Sequence, residues 1–284
     1  MPNIKHYLSL IKFSHTIFAL PFACIGFVLA LQTRHEFSIK LLLLVIACMV
    51  FARSAAMAFN RFIDKDFDAL NPRTAIREIP SGIINPQNAL FFIIINCVLF
   101  VVATWFINRI CFYLSPVALF TILFYSYTKR FTPLCHLVLG AGLALAPIGA
   151  YLAVTGEFAW LPLLFSFTVF CWVSGFDIIY ALQDEQFDRS NNLKSIPVMF
   201  GTKGALRVSE ALHVLAFAFI VTAGFVGHFN WLYWLGASLF SALLVYQHTL
   251  VKPNDLSKVN LAFFTTNGIA SVAFALFTIV SFFI

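Results

Sequence analysis

An apolar run over residues 39–59 decides the fold class of this chain, and its central part, residues 41–52, reads LLLLVIACMVFA. A helix that spans the hydrocarbon core of a bilayer needs about 20 apolar residues. Continuous apolar runs of similar length recur along the 284 residues, whereas the strands of a membrane β-barrel alternate between apolar and polar residues. We therefore predict an all-α, polytopic membrane protein.

The composition excludes the other broad classes of protein. Hydrophobic residues make up 61% of the chain and charged residues 11%, whereas soluble proteins carry about 25% charged residues. Disorder requires low hydrophobicity and high net charge. The net charge is +6, but the bases lie in connections between apolar runs rather than on one basic face, which argues against nucleic acid as a partner. The predicted environment is the lipid bilayer.

Charged and turn-forming residues divide the chain into nine apolar runs. We predict nine transmembrane helices in a single domain, residues 1–284. Their approximate limits are 16–34, 39–59, 90–109, 111–128, 134–154, 160–183, 208–227, 230–249 and 260–284. The two long connections are predicted at about 60–89 and 184–207.

The lysine and arginine residues predict the orientation. With the N-terminus in the cytoplasm, fourteen of the eighteen bases fall in cytoplasmic segments, Lys12 among them, and only Arg34, Lys40 and Arg109 fall on the opposite side. This is the bias that the positive-inside rule describes. It predicts a multi-pass protein of the inner (cytoplasmic) membrane, with both long connections, and hence the active site, on the cytoplasmic side.

The acidic residues are concentrated in two short stretches, each at the cytoplasmic end of a predicted span. Eight of the twelve lie there: Asp64, Asp66, Asp68 and Glu78 in the first, and Asp177, Asp184, Glu185 and Asp188 in the second. Residues 64–68 and 184–188 both read D-x-x-F-D, and an even number of predicted spans separates them. A parallel internal repeat of this kind predicts two acidic clusters that face each other on one side of the membrane.

The spacing within each stretch is helical. Asn60, Asp64 and Asp68 are four residues apart, and the second set falls at i, i+7 and i+11, so each set shares one helical face. Like charges at this spacing destabilise a helix by about 0.2–0.5 kcal/mol per pair, a cost that a bound cation would offset. Oxygen ligands combined with substrate phosphates favour Mg²⁺. The predicted ligands are Asn60, Asp64, Asp68, Asp184 and Asp188; the alternative is a solvated acidic loop.

Basic residues accompany these carboxylates. Arg53 lies inside the second predicted span, on the face of Asn60, and an intramembrane arginine is a functional candidate by default; the alternative is an arginine that extends from the helix end to the interface. An excess of bases beside carboxylates suits an anionic ligand such as a diphosphate. The other candidates, each of which could instead only determine orientation, are Arg73, Arg77, Lys129, Arg130 and Lys194.

Histidine and cysteine residues show no comparable pattern. The six cysteines are scattered through apolar runs without a Cys-x-x-Cys pair, and we interpret them as small buried residues. The seven histidines form no cluster with metal-ligand spacing. We interpret them, His15, His35 and His136 included, as core or interface residues.

With these motifs the chain resembles the UbiA superfamily of intramembrane prenyltransferases. The family motif N-x-x-x-D-x-x-x-D matches the stretch that begins at Asn60, and D-x-x-Y-x-x-x-D-x-x-x-D matches Asp177, Tyr180, Asp184 and Asp188. A Tyr-x-x-x-Lys-Arg segment is also present at 125–130. Two places depart from the family pattern: its Asn-Asp pair is Asn-Arg at 60–61, and its Arg-Pro-Leu-Pro is Arg-Glu-Ile-Pro at 77–80. The run 178–184 resembles 4-hydroxybenzoate polyprenyltransferases.

The resemblance implies transfer of a polyprenyl group from polyprenyl diphosphate to a ring carbon of an aromatic acid in quinone biosynthesis. Catalysis would depend on Asp64, Asp68, Asp184 and Asp188, which would hold Mg²⁺ against the diphosphate. The acceptor would be 4-hydroxybenzoate or, in menaquinone synthesis by the futalosine route, a dihydroxynaphthoate.

The same resemblance suggests roles around the acceptor. Asp184 or Asp188 would assist its hydroxyl, Arg130 or Arg53 would bind its carboxylate, and Asp177 and Tyr180 would orient the acceptor or a nearby water. The alternative for Tyr180 is an aromatic anchor at the membrane interface. In a different functional class the alternative is a secondary transporter, which also combines internal repeats with charged residues in its spans.

Overall fold

The structure, a computed structural model, describes residues 4–11, 13–34 and 37–284, with no side-chain detail at residues 4 and 13–15. Lys12 and His35 therefore lie outside the described residues, as does the side chain of His15. Within the described part of the chain every regular element is helical, apart from one isolated bridge between Lys252 and Asp255. The prediction of an all-α chain is confirmed.

The α-helices are numbered here in chain order. They are α1 (Ile4–Leu10), α2 (Leu20–Arg34), α3 (Ile39–Ile63), α4 (Lys65–Leu70), α5 (Pro86–Ile107), α6 (Arg109–Thr128), α7 (Cys135–Thr155), α8 (Trp160–Ala181), α9 (Glu185–Ser190), α10 (Ile196–Val226), α11 (Trp231–Leu250) and α12 (Asn267–Ser281). Short 3-10 segments, Phe13–Phe18 and Leu182–Asp184, precede α2 and α9, and a π-helical segment, Leu261–Thr266, leads into α12.

Seven helical stretches in the described part of the chain are long and apolar enough to cross a membrane. They are α3, α5, α6, α7, α8 extended through α9, α10, and α12 together with its π-helical segment. The fifteen-residue α2 is shorter, and α11 is not among the seven. Each of the nine predicted runs overlaps a described helix of at least fifteen residues, but nine membrane crossings stay a prediction.

The connection predicted at 184–207 is largely helical. It contains α9, and α10 begins at Ile196, well before the predicted limit at residue 208. Ser195 caps α10 by accepting a hydrogen bond from the backbone N–H of Val198, and Gly201 interrupts the helix with φ 66° and ψ 173°. Glycine adopts positive φ at little cost. The apolar pattern did not reveal this helix start because the apolar residues 196–200 are followed by glycine and charged residues, Lys203 among them.

The connection predicted at 60–89 also begins as helix. Backbone hydrogen bonds from Asp64 to Asn60 (2.9 Å) and from Asp68 to Asp64 (2.7 Å) continue the helical register from α3 into α4. Turns occupy most of the segment that follows. α5 then begins at Pro86, and Asn85 caps it by accepting from the Gln87 N–H.

The helices form two compact units. The first, Met1–Thr16 with Ile39–Tyr127, packs α3 against α5 and contains the first acidic stretch. The second, Ile17–Ser38 with Thr128–Ile284, packs α8 against both α7 and α10 and contains the second stretch. The aromatic core of the second unit includes the fully buried Trp172. Each acidic motif thus starts from a helix anchored by its own core.

Candidate active site

The first acidic motif retains its helical spacing beyond the end of α3. The Asn60 amide Nδ2 donates to Asp64 Oδ2 at 3.0 Å, so the two side chains touch across one turn as the spacing predicts. Both side chains are half-buried, whereas Asp68, one turn further along, is 6% exposed. The motif therefore presents an amide and two carboxylates from one continuous helical path.

Arg77 folds back onto this motif. Its Nη1 lies 2.7 Å from Asp68 Oδ1 and 2.8 Å from Oδ2. The Thr74 hydroxyl donates to the backbone carbonyl of Asp68 at 3.1 Å, which holds the intervening turn against α4. The structure thus brings together two residues that the sequence proposed separately, a carboxylate and a base.

A second ion pair lies beside the first and was not predicted. Arg61 Nη1 is 3.9 Å from Glu78 Oε2, and the two residues are 3% and 9% exposed. Glu78 also accepts a hydrogen bond from the Ser9 hydroxyl. In the sequence, this pair was indicated only by the fact that positions 61 and 78 both depart from the family motif pattern.

The second acidic motif has its own basic partner. Asp184 ends the 3-10 segment before α9, and Asp188 within α9 is 1% exposed. Lys129 Nζ lies 3.0 and 3.2 Å from the two carboxylate oxygens of Asp188. Burial lowers the pKa of Lys129, but the carboxylate of Asp188 and other negative neighbours raise it more, so that its pKa lies above the usual value. The lysine is charged at neutral pH and neutralises a buried carboxylate.

The segment that contains Lys129 is hydrogen-bonded to Lys194, two residues before the start of α10. The backbone N–H of Lys194 donates to the Lys129 carbonyl at 2.7 Å, and its Nζ donates to the Phe131 carbonyl at 3.2 Å. Lys194 is otherwise exposed, and the neighbouring Arg130 is half-buried. Three of the predicted bases therefore lie on two adjacent backbone segments near Asp188.

Asp177, deeper in α8, contacts a residue that the sequence did not single out. Its Oδ2 lies 2.6 Å from Nδ1 of His136, the second residue of α7. His136 is 1% exposed, and its Nε2 has no hydrogen-bond partner among the described residues. The residue is buried as interpreted, but the contact with a motif carboxylate was missed because the histidine lies in a different helix.

The remaining predicted residues are less closely grouped. The Tyr180 ring stacks on Phe263 with a centroid distance of 4.1 Å and belongs to an apolar cluster. Arg53 is half-buried within α3, and Arg73 is exposed, with its backbone N–H donating to Asn71 Oδ1.

The donor set is suited to Mg²⁺ ions that retain water ligands. In the described residues no three His, Cys, Asp or Glu side chains are arranged to hold a metal by themselves. Mg²⁺ usually binds through one or two carboxylates together with waters and substrate phosphates. The carboxylate and amide oxygens at Asn60 and Asp64, and the carboxylate at Asp184, fit that pattern.

Comparison with known proteins identifies the family. The UbiA prenyltransferase family model matches residues 19–269. The chain belongs to this family. It is therefore a prenyltransferase and, with its apolar helices, an integral membrane protein.

Individual UbiA relatives agree with this assignment. The chain is 31% identical to a UbiA homolog from Aeropyrum pernix K1 solved in its apo form, with a TM-score of 0.81 over 95% of this chain and 97% of that one. It is 28% identical to a 4-hydroxybenzoate octaprenyltransferase of Tolumonas auensis, over 84% of this chain and 83% of the relative. A UbiA homolog from Archaeoglobus fulgidus, solved with GPP and Mg²⁺, shares the fold at 20% identity, with a TM-score of 0.75 over 98% of this chain and 100% of that one. These comparisons give no support to the transporter alternative.

Proposed function

We propose that this prenyltransferase moves a polyprenyl group from polyprenyl diphosphate to a ring carbon of 4-hydroxybenzoate or a similar aromatic acid in quinone biosynthesis. The observation that carries the proposal is that each acidic motif pairs a buried carboxylate with a base, Asp68 with Arg77 and Asp188 with Lys129. Carboxylates alone would suit a free cation. Carboxylates mixed with bases suit a cation together with a phosphorylated substrate.

On this proposal the two motifs act on one diphosphate. Mg²⁺ would be held by the side chains Asn60, Asp64, Asp68, Asp184 and Asp188. When bound, the metal would supply charge neutralisation for the departing diphosphate. The A. fulgidus relative solved with GPP and Mg²⁺ supports a prenyl diphosphate and Mg²⁺ as the bound groups. That the two motifs face each other stays a prediction.

The basic side chains have a separate role, which is to bind the diphosphate of the prenyl donor. Arg77 and Lys129 each hold a motif carboxylate in place and have N–H groups to offer to phosphate oxygens. Arg73 and Lys194 are exposed beside these pairs and extend the positive charge. A diphosphate bound among these groups is neutralised from several directions, which favours its departure as an anion.

The acceptor requires a cation for its carboxylate. We assign this role to Arg130, which follows Lys129 in the chain, with Arg53 as the alternative. Asp177 and Tyr180, in the last turns of α8, would orient the aromatic ring. The relative from T. auensis supports 4-hydroxybenzoate, and dihydroxynaphthoate is the second candidate.

The distribution of bases supports a location in the inner membrane with the N-terminus and the active site on the cytoplasmic side. Fourteen of eighteen bases belong to the predicted cytoplasmic segments. Fusion of a reporter that is active in only one compartment to successive connections tests this orientation. Signals of the opposite polarity would overturn it.

The function is tested by mixing the detergent-solubilised protein with polyprenyl diphosphate, Mg²⁺ and one aromatic acid at a time, and identifying products by mass spectrometry. Prenylated 4-hydroxybenzoate with release of diphosphate is the expected result. A product only from dihydroxynaphthoate would change the acceptor and keep the reaction class. No product from either acid would overturn the proposal.

A further inference from the structure

We propose that His136 accepts the proton of the acceptor hydroxyl and that Asp177 is the positioning residue that orients its ring. The inference rests on the proposed function and assigns one chemical step within it. It moves assistance at the hydroxyl from Asp184 or Asp188 to a residue outside both motifs.

The contact with Asp177 fixes which ring nitrogen carries a proton. A carboxylate only accepts hydrogen bonds, so at 2.6 Å the Nδ1–H of His136 donates to Asp177 Oδ2. In the neutral imidazole the other nitrogen then has a free lone pair. Asp177 therefore prepares Nε2 to receive a proton and stabilises the imidazolium that results.

The environment of Nε2 indicates a ligand. The atom is buried and has no hydrogen-bond partner in the part of the chain that the structure describes. Leaving a buried polar atom without a partner is unfavourable, because the atom loses its hydrogen bonds to water and gains none in the protein. A group supplied by the substrate would remove this cost during the reaction, and a hydroxyl is the simplest group that donates to an imidazole lone pair.

The position of His136 in the chain is suited to an aromatic acid as the acceptor. His136 lies six residues after Arg130, the residue assigned to the acceptor carboxylate, and the intervening segment leads directly into α7. α7 packs against α8, which carries Asp177. One short stretch of the second unit thus supplies a cation for the carboxylate and a base for the hydroxyl of a phenolic acid.

The motif carboxylates are less suited to this step. Both oxygens of Asp188 are already engaged by Lys129. Asp184 is assigned to the metal in the proposed function. A carboxylate bound to a cation is a weaker base, because the cation stabilises its charged form.

The proton and electron balance is simple. The hydroxyl O–H bond breaks and its proton bonds to Nε2, while the oxygen electron pair flows into the ring. The ring carbon bonds to prenyl C1 as the C1–oxygen bond to diphosphate breaks. The resulting dienone loses its ring proton to solvent or diphosphate, and the oxygen regains a proton from Nε2. The products are the prenylated phenol, diphosphate and one released proton.

The test uses the full-length protein in detergent and the substitution His136→Gln. Glutamine keeps a polar side chain but cannot act as a base, so kcat with 4-hydroxybenzoate should fall by about 100-fold or more, the range of general base catalysis. Binding of a polyprenyl thiodiphosphate in Mg²⁺, measured by titration calorimetry, should stay unchanged. Cys135→Ala, at the adjacent buried position, is the matched control and should keep wild-type turnover.

A second measurement separates catalysis from structure. A fluorinated 4-hydroxybenzoate has a more acidic hydroxyl and needs less help to lose its proton. The defect of His136→Gln relative to wild type should therefore shrink at least tenfold with this acceptor. Asp177→Asn should show the same partial rescue, and the double variant should be no worse than the single ones because both act on one step.

These results also distinguish the inference from the proposed function. If His136→Gln turns over 4-hydroxybenzoate at the wild-type rate, or shows equal defects with both acceptors, the assignment of His136 is overturned while the prenyl transfer stands. If wild type neither binds the thiodiphosphate with Mg²⁺ nor forms product, the proposed function itself fails.

Discussion

Arg61 and Glu78, which occupy the two places where the chain departs from the family motif pattern, form a buried ion pair with a distance of 3.9 Å between Nη1 and Oε2. Arg61 follows Asn60, and Glu78 follows Arg77, the partner of Asp68. The pair therefore connects the two backbone segments that carry the first motif and its base. Glu78 also neutralises a positive charge that would otherwise lie beside the proposed Mg²⁺ ligands.

Removing either member of this pair should be costly. Arg61→Met or Glu78→Met removes one charge of a buried ion pair, which destabilises a protein by about 3–5 kcal/mol. The double substitution removes both charges and should recover most of the stability. Thermal unfolding in detergent measures this, and additive losses in the double variant would contradict the coupling.

The carboxylates proposed to hold Mg²⁺ should be required for turnover but not for folding. Asp64→Asn or Asp184→Asn should lower kcat by at least about 10²–10³-fold, the cost of losing one group that stabilises developing charge. Asp66→Asn, a change at an exposed position in α4 two residues after Asp64, is the control. Wild-type rates for both site variants, with normal membrane insertion, would remove these residues from the metal site.

The Lys129–Asp188 pair predicts a loss of stability at alkaline pH. Since the pKa of Lys129 is raised above its usual 10.5 in the folded protein, the pair stabilises fully below that value and is lost as the pH rises through the folded-state pKa. Lys129→Met should lower stability by about 3 kcal/mol at neutral pH, near the low end for buried pairs because the lysine is 28% exposed. Thermal unfolding of both proteins from pH 9 to pH 12 should show a steeper decline above about pH 10.5 in wild type than in Lys129→Met.

Arg130→Ala should act mainly on the acceptor. Loss of the charge that binds the carboxylate should raise KM for 4-hydroxybenzoate about tenfold or more, with a smaller effect on KM for the diphosphate, since a hydrogen bond to a charged group contributes about 1.5–3 kcal/mol. Arg189→Ala is the control, because Arg189 is exposed and pairs with Glu185. Unchanged kinetics in Arg130→Ala would show that another base binds the acceptor.

Close helix packing in the second unit predicts a stability effect away from the site. A Cβ at Gly26 in α2 would lie 2.1 Å from the Pro147 carbonyl oxygen in α7. A backbone atom cannot rotate away from this contact as the end of a flexible side chain can. Gly26→Ala should therefore destabilise by about 1–3 kcal/mol. Gly149→Ala in α7, where a Cβ meets nothing within 4 Å, is the matched control for thermal unfolding. An equal effect of the two changes would contradict the close approach.

Some boundaries could not be predicted from apolar patterns. Glycine and charged residues between positions 201 and 207 interrupt the apolar pattern of α10, so the sequence placed a connection where the structure has helix. The partner of Asp177 also could not be predicted from the sequence, because His136 is 41 residues away in the chain. Helical spacing relates residues three or four positions apart and gives no information about contacts between helices.

By itself the sequence determined that this is an all-helical membrane protein with two aspartate motifs, because apolar content and i, i+4 spacing are local properties of the chain. Only the tertiary structure decided which base meets which carboxylate: Arg77 with Asp68, Lys129 with Asp188, and His136 with Asp177. Two of these contacts join residues 41 and 59 positions apart. Such contacts form only when helices pack, since packing brings distant side chains together and excludes the water that would otherwise solvate them.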